Sequence, residues 1–207
     1  MKFKSNTVIL LITALSLGGI VYWSQRDTPQ QEAVSANAQS IFAFQENQVQ
    51  AFTVTTKQQT LSVARATSGK RDTQAKAKKR PQAWLIKTPI QAPASDASVA
   101  YLLNLLATGK SERTLMVPIS QQREFGLDQP WATVKVRLNN QEVHQLILGK
   151  PDFNHSFLYA QADPPAKKTQ TLKVLLVPTA FESAVNRPLS EWQISGKSAA
   201  TLPPDPD

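Results

Sequence analysis

A chain of 207 residues with 41% apolar side chains and a formal charge of +8 has room for one folded domain of about 150 residues beside an N-terminal segment and a polar tail. It holds no cysteine, which excludes disulfide frameworks, thiol nucleophiles, cysteine-ligated zinc and lipidation at a lipobox cysteine, while leaving the compartment open. Seven glycines disfavour a glycine-rich phosphate cradle, and His144 and His155 are the only histidines.

The first element is apolar. No residue from Ser5 to Gln25 is charged, and the strongly apolar stretch, 8–23, contains Val8, Leu10, Leu11, Ile12, Leu15, Ile20 and Val21, ending in Tyr22 and Trp23. At 1.5 Å per residue the uncharged run reaches roughly 30 Å, the thickness of a bilayer's hydrocarbon core. The strictly apolar part also has the length of a signal-peptide core. Bulky residues fill the usual cleavage window, however, and the small-x-small site Ala36-Asn37-Ala38 lies far downstream, so an uncleaved transmembrane helix is the expectation. Tyr22 and Trp23 suit the bilayer interface. Lys2 and Lys4 precede the helix and a nearly neutral Arg26-Asp27 pair follows it, which predicts a cytoplasmic N-terminus, 1–7, and an exported domain. The polar segment 24–40 reads as a flexible tether.

Short strands come next, at Ile41 to Phe44, Val49 to Thr55 and Thr60 to Ala64, in a meander whose members alternate apolar and polar side chains. A further strand, Ala83 to Lys87, ends at Pro89. Between them the basic loop 67–80 has no apolar periodicity. Ser95 reads as an N-cap, with Asp96 in the first turn and Val99, Leu102, Leu103 and Leu106 at helical spacing. Gly109 is expected to end that helix in a left-handed cap, with Lys110 beside the negative end of its dipole. Strands then recur at Thr114 to Pro118, Thr133 to Leu138, Glu142 to Leu148, Phe157 to Gln161 and Leu172 to Val177. Ser120 to Phe125 reads as one helical turn closed by Gly126, and Asn139-Asn140 as a hairpin in which asparagine accepts positive φ. A last short helix starts near Thr179 and stops before Pro188, and the polar, proline-rich 193–207 reads as a disordered tail. The class is α+β: mostly antiparallel strands around one main helix, over 41–192, preceded by one transmembrane helix.

Candidate chemistry is sparse. Arg65, Lys70, Arg71, Lys76, Lys78, Lys79 and Arg80 face one acid, Asp72, and supply most of the formal charge. Lys70, Arg71, Lys76, Lys78, Lys79 and Arg80 are the candidate contacts to anionic lipid headgroups or to an acidic partner face; a solvated loop is the other reading of the same run. No aromatic residue interleaves these charges and the topology points away from the cytoplasm, which speaks against nucleic acid. His144, His155 and Asp152 lack the spacing of a metal site, and no metal or other cofactor is expected. Gly109-Lys110-Ser111 and Gly196-Lys197-Ser198 lack the preceding glycine of a phosphate loop, and no serine sits in a nucleophile elbow. Trp84, Trp131 and Trp192 have apolar neighbours and read as core rather than as a stacking platform.

An ordered series of core and turn positions, Trp84-Leu85-Ile86, Pro89, Val99, Leu102, Leu106, Phe125-Gly126-Leu127, Pro130, Val134-Val136-Leu138, Leu146-Ile147-Leu148-Gly149, Tyr159-Ala160 and Val174-Leu175-Leu176, resembles the bacterial family called domain of unknown function 4340. With the opening strands the resemblance runs from Ile41 to Trp192. It supplies no catalytic motif. It implies a membrane-anchored exported module with an accessory role beside other membrane machinery, and the single-copy form is similar to cyanobacterial members, which implies a plasma or thylakoid membrane. The expectation is therefore a non-catalytic accessory or assembly protein whose exported domain, in periplasm or thylakoid lumen, binds another membrane or envelope protein. The alternative is an exported ligand-binding or hydrolytic domain acting on glycans or peptides, which would need paired carboxylates from among Glu112, Glu124, Asp128 and Asp152.

Overall fold

Phe52 and Val54 are buried while Thr53 and Thr55 are not, and the same period of two recurs in Ala132, Val134, Val136 and Leu138, so each strand has one face to cover. A computed structural model describes residues 38–66, 84–167 and 169–194. In chain order the strands are β1 (Gln39–Ser40), β2 (Val49–Thr56), β3 (Thr60–Arg65), β4 (Trp84–Thr88), β5 (Ala92–Pro93), β6 (Lys110–Ser111), β7 (Arg113–Pro118), β8 (Ala132–Leu138), β9 (Val143–Pro151), β10 (Phe157–Ala162) and β11 (Thr171–Pro178). Helices α1 (Asp96–Thr108), α2 (Ala180–Val185) and α3 (Leu189–Trp192) join them, with 3-10 turns at Glu46–Gln48 and Ile119–Phe125.

The fold is α+β, with a large antiparallel sheet and a few helices. Nine strands pair in the order β5-β4-β3-β2-β8-β9-β10-β11-β7. Two meanders, β2 to β5 and β8 to β11, meet where β2 pairs with β8. The chain leaves the first meander at one edge, crosses the sheet as α1, enters β7 at the opposite edge, and returns under the sheet through Ile119–Phe125 to β8.

That route makes two cores. On one face Val99, Leu102, Leu103 and Leu106 of α1, with Phe181 and Trp192, pack on Phe52, Val54, Val134, Val136, Leu146 and Leu148. Full burial of each leucine contributes about 2 kcal/mol. On the other face, at the β7 end only, Phe125 and Leu127 pack with Val117, Leu172, Val174, Ile147 and Tyr159. Ser95 caps α1 by accepting the Ser98 N–H at 3.4 Å. Ser98 Oγ in turn donates to the Glu191 carbonyl at 2.6 Å, fastening α3 to the start of α1.

The main helix, the closing turn at Gly126 and the later strands lie where the sequence places them, within a residue or three. Several local expectations need correction. Ile41 to Phe44 is not a strand: Ile41 donates to the Gly109 carbonyl, and Phe42 and Phe44 stack on each other at 5.5 Å beside the His144 ring. The pairing segment is Gln39–Ser40, inside the expected tether, set against Lys110–Ser111. Gly109 has φ −60° and ψ 140°, not a left-handed cap, because the chain turns straight into β6; its glycine is required by the Leu105 carbonyl, which a Cβ would overlap. In the β8–β9 hairpin the positive φ falls on Gln141, at 71°, and not on either asparagine; the turn hydrogen bond from the Gln141 N–H to the Leu138 carbonyl leaves Gln141 as the residue that reverses the chain. The helix expected from Thr179 runs Ala180–Val185 and stops before Pro188 as the sequence places it; what the sequence missed is a further short helix, Leu189–Trp192, after which Gln193 still bridges to Ala94.

Among the described residues no helix is long and apolar enough to cross a membrane. The expected transmembrane helix 8–23, the basic loop 67–80 and the tail beyond Ile194 lie outside the described residues.

Candidate functional site

Two of the residues that chemistry would use, Asp152 and His144, are spent on local structure. Asp152 Oδ1 accepts the N–H groups of Ser156, at 2.8 Å, and Phe157, at 3.0 Å, and its carbonyl accepts the His155 N–H. His155 sits in that same turn with φ 57°. His144 is far from it in sequence and binds Asp163 instead, Nδ1 to Oδ2 at 2.8 Å. Among the described residues no three His, Asp or Glu side chains gather as a metal site would need. Glu112, between β6 and β7, and Glu124 and Asp128, both on the β7–β8 connection, are exposed. A cleft of about 700 Å³ between α1 and α3 is bordered by Ser95, Asp96, Arg187 and Glu191, but Arg187 Nη1 donates to the Glu191 carboxylate there at 3.3 Å.

Other motifs resolve similarly. Lys110 and Ser111 form β6, with the Ser111 hydroxyl donating to the Arg113 carbonyl, so the first GKS string is a strand. The second lies outside the described residues. Trp84 and Trp192 are buried on either side of Phe52, at 5.8 and 6.0 Å, and Trp131 packs partly buried against the same core, which leaves no stacking platform. Arg65, the first cation of the basic run, belongs to the fold: its guanidinium lies 4.5 Å from the Trp84 ring centre, and Nε donates to the Val49 carbonyl at 2.6 Å. Lys70, Arg71, Lys76, Lys78, Lys79 and Arg80 lie outside the described residues, as do Val8, Leu10, Leu11, Ile12, Leu15, Ile20, Val21, Tyr22 and Trp23.

Two surface features stand out instead. Phe153 is 99% exposed at the apex of the β9–β10 turn, the very turn that the buried Asp152 carboxylate locks. The second is the half of the sheet's second face that no described residue covers, where Thr53, Ser62, Lys135, Arg137 and Val143 point away from the core. The period-two pattern of β8 carries a signal for the latter, since Lys135 and Arg137 alternate with Val134, Val136 and Leu138. Nothing in the string PDFNH distinguishes an exposed phenylalanine from a buried one.

The family model described as "Domain of unknown function (DUF4340)" matches residues 84–195, more than half of the chain. The chain belongs to this family. The matched region of this DUF4340 protein runs from β4 through α3, so β2 and β3, which lie between β4 and β8 in the sheet, fall before it. Its glycines have a packing role here. Gly126, at φ 68°, closes the 3-10 turn, and Gly149 gives room to the Phe125 carbonyl as that turn settles on β9. Neither the curated proteins nor the solved structures contain a match to the chain.

Proposed function

We propose that this DUF4340 protein is a non-catalytic, membrane-anchored accessory or assembly protein whose exported domain binds another membrane or envelope protein. Residues 8–23 hold it in the bilayer with the N-terminus in the cytoplasm, and the domain stands in the periplasm or thylakoid lumen.

The observation that carries this reading is Phe153. Leaving a phenylalanine wholly in water forgoes about 2 kcal/mol of burial, and the turn beneath it is fixed by two hydrogen bonds to Asp152. An aromatic side chain on a rigid support is the form of an interface anchor, because little conformational entropy remains to be lost on docking. The use of Asp152 in its turn and of His144 in a pair with Asp163 supports the non-catalytic half of the reading.

Co-purification tests it. Full-length chain solubilised in mild detergent should bring down a second membrane protein, and Phe153→Ala should lose that protein while keeping the same thermal midpoint. A chain that runs alone in several detergents would contradict the proposal. The anchor has its own test in the mass of the mature N-terminus: a chain beginning at Gln39 would be a cleaved, unanchored product, and one retaining 8–23 is expected.

A further inference from the structure

Among the described residues, the sheet's second face is covered at one end and bare at the other. At the β7 end Phe125, Leu127 and Tyr159 close it; over β4, β3, β2, β8 and the start of β9 no described residue does. Strand alternation places Leu85, Lys87, Ala64, Ser62, Thr53, Lys135, Arg137 and Val143 there. Cross-strand pairing aligns Ser62, Thr53, Lys135 and Gln145 in one row, and Ala64, Ala51, Arg137 and Val143 in the next. Small side chains make the middle of this surface low, and Lys135, Arg137 and Val143 rise beside it, leaving a shallow depression of about 200 Å³.

The charge on this face has one sign. Among the described residues Lys87, Lys135 and Arg137 project from it and no carboxylate does. Glu142 and Asp163 flank β9 at its rim, and Asp163 is already held by His144 and the Gln145 N–H. The connection from β3 to β4 cannot supply the missing charge, since 67–83 carries Lys70, Arg71, Lys76, Lys78, Lys79 and Arg80 against Asp72 alone. We infer that the bare half of the sheet is a docking surface for an acidic protein segment, which seats a carboxylate side chain between Lys135 and Arg137 with apolar contact to Val143. Complementary charge selects such a partner and suppresses basic ones. A flat face with a floor of alanine, serine and threonine suits a polypeptide segment better than a lipid headgroup.

This inference rests on the protein-binding reading above and can fail without it. The experiment is carbodiimide cross-linking of the full chain in its own membranes, which joins a lysine amine to an adjacent carboxylate, read by peptide mass spectrometry. Lys135 should link to an aspartate or glutamate of a second protein, and Arg137→Glu, or an excess of a deca-glutamate peptide, should lower that yield roughly tenfold at low salt. Lys135 unlinked, linked only to carboxylates of this chain, or linked with a yield indifferent to Arg137→Glu would overturn it. So would equal shielding of Lys135 from amine acetylation by vesicles of phosphatidylglycerol alone, which would make the face a lipid site. If Phe153→Ala still releases the co-purifying protein while Lys135 stays silent, partner binding stands and this surface is discarded.

Discussion

His144 and Asp163 form an ion-pair geometry, Nδ1 to Oδ2 at 2.8 Å, that ties β9 to the residue following β10. The other carboxylate oxygen accepts the Gln145 N–H at 2.7 Å, and the imidazole lies 5.4 Å from the Phe42 ring and 5.3 Å from the Phe44 ring. One side chain thus fastens the segment through which the chain enters the domain. His144→Ala should cost about 1 kcal/mol and raise amide exchange at Ile41, whose N–H is bound to the Gly109 carbonyl. Because both partners are partly exposed, a double-mutant cycle with Asp163→Asn should return a coupling below about 1 kcal/mol. Unchanged exchange at Ile41 would show that Phe42 and Phe44 hold the segment without the histidine.

Gly149 is buried in β9 with the Phe125 carbonyl directly over its Cα, where a methyl group would overlap it, and with Leu127 Cδ2 at 3.1 Å from the added carbon. Gly149→Ala should therefore destabilise the protein by about 2–3 kcal/mol, by lifting the 3-10 turn off the second core. Equilibrium urea unfolding measures this, and near-wild-type stability would mean that the turn can shift at little cost.

Asp152 is the buried acceptor of the turn that presents Phe153. Asp152→Ala leaves the Ser156 and Phe157 N–H groups without that partner and should cost about 1–3 kcal/mol. It should also weaken partner retention with Phe153 itself intact, because the anchor would lose its rigid support. Retention equal to wild type would separate the phenylalanine from its turn.

Burial lifts the Tyr159 phenol above its ordinary value of 10.0, and the negative Asp152 pushes it the same way. The unfolded chain then releases this proton before the folded one does, so stability is intact below about pH 10 and falls as pH rises through the folded value. Tyr159→Phe, which keeps the edge-on packing with Phe125, should flatten this alkaline decline in urea midpoint. An identical slope in both proteins would contradict the assignment.

Patterns that local physics enforces could be read directly from the string. The alternation in β2, β3 and β8, the Ser95 cap, the spacing of Val99, Leu102 and Leu106, and the left-handed Gly126 each arise within a few residues. What escaped depends on distant neighbours. Ile41 to Phe44 has strand-like residues but is held by the Gly109 carbonyl and the His144 ring rather than by pairing with a strand. Gly109 is needed for the close approach of the Leu105 carbonyl and not for its φ. The surface features were hidden for the same reason: Lys135 and Arg137 form a charged face only because β8 lies in the middle of the sheet, and the exposure of Phe153 is decided by a hairpin apex.

The central claim, that the exported domain grips another protein, is tested most directly by placing a photoreactive phenylalanine analogue at position 153 of the full chain and irradiating the intact membrane. One discrete adduct with a second membrane or envelope protein, lost when the same analogue is moved to exposed Lys173, is the expected result. Adducts with lipid alone, or none beyond the chain itself, would contradict it.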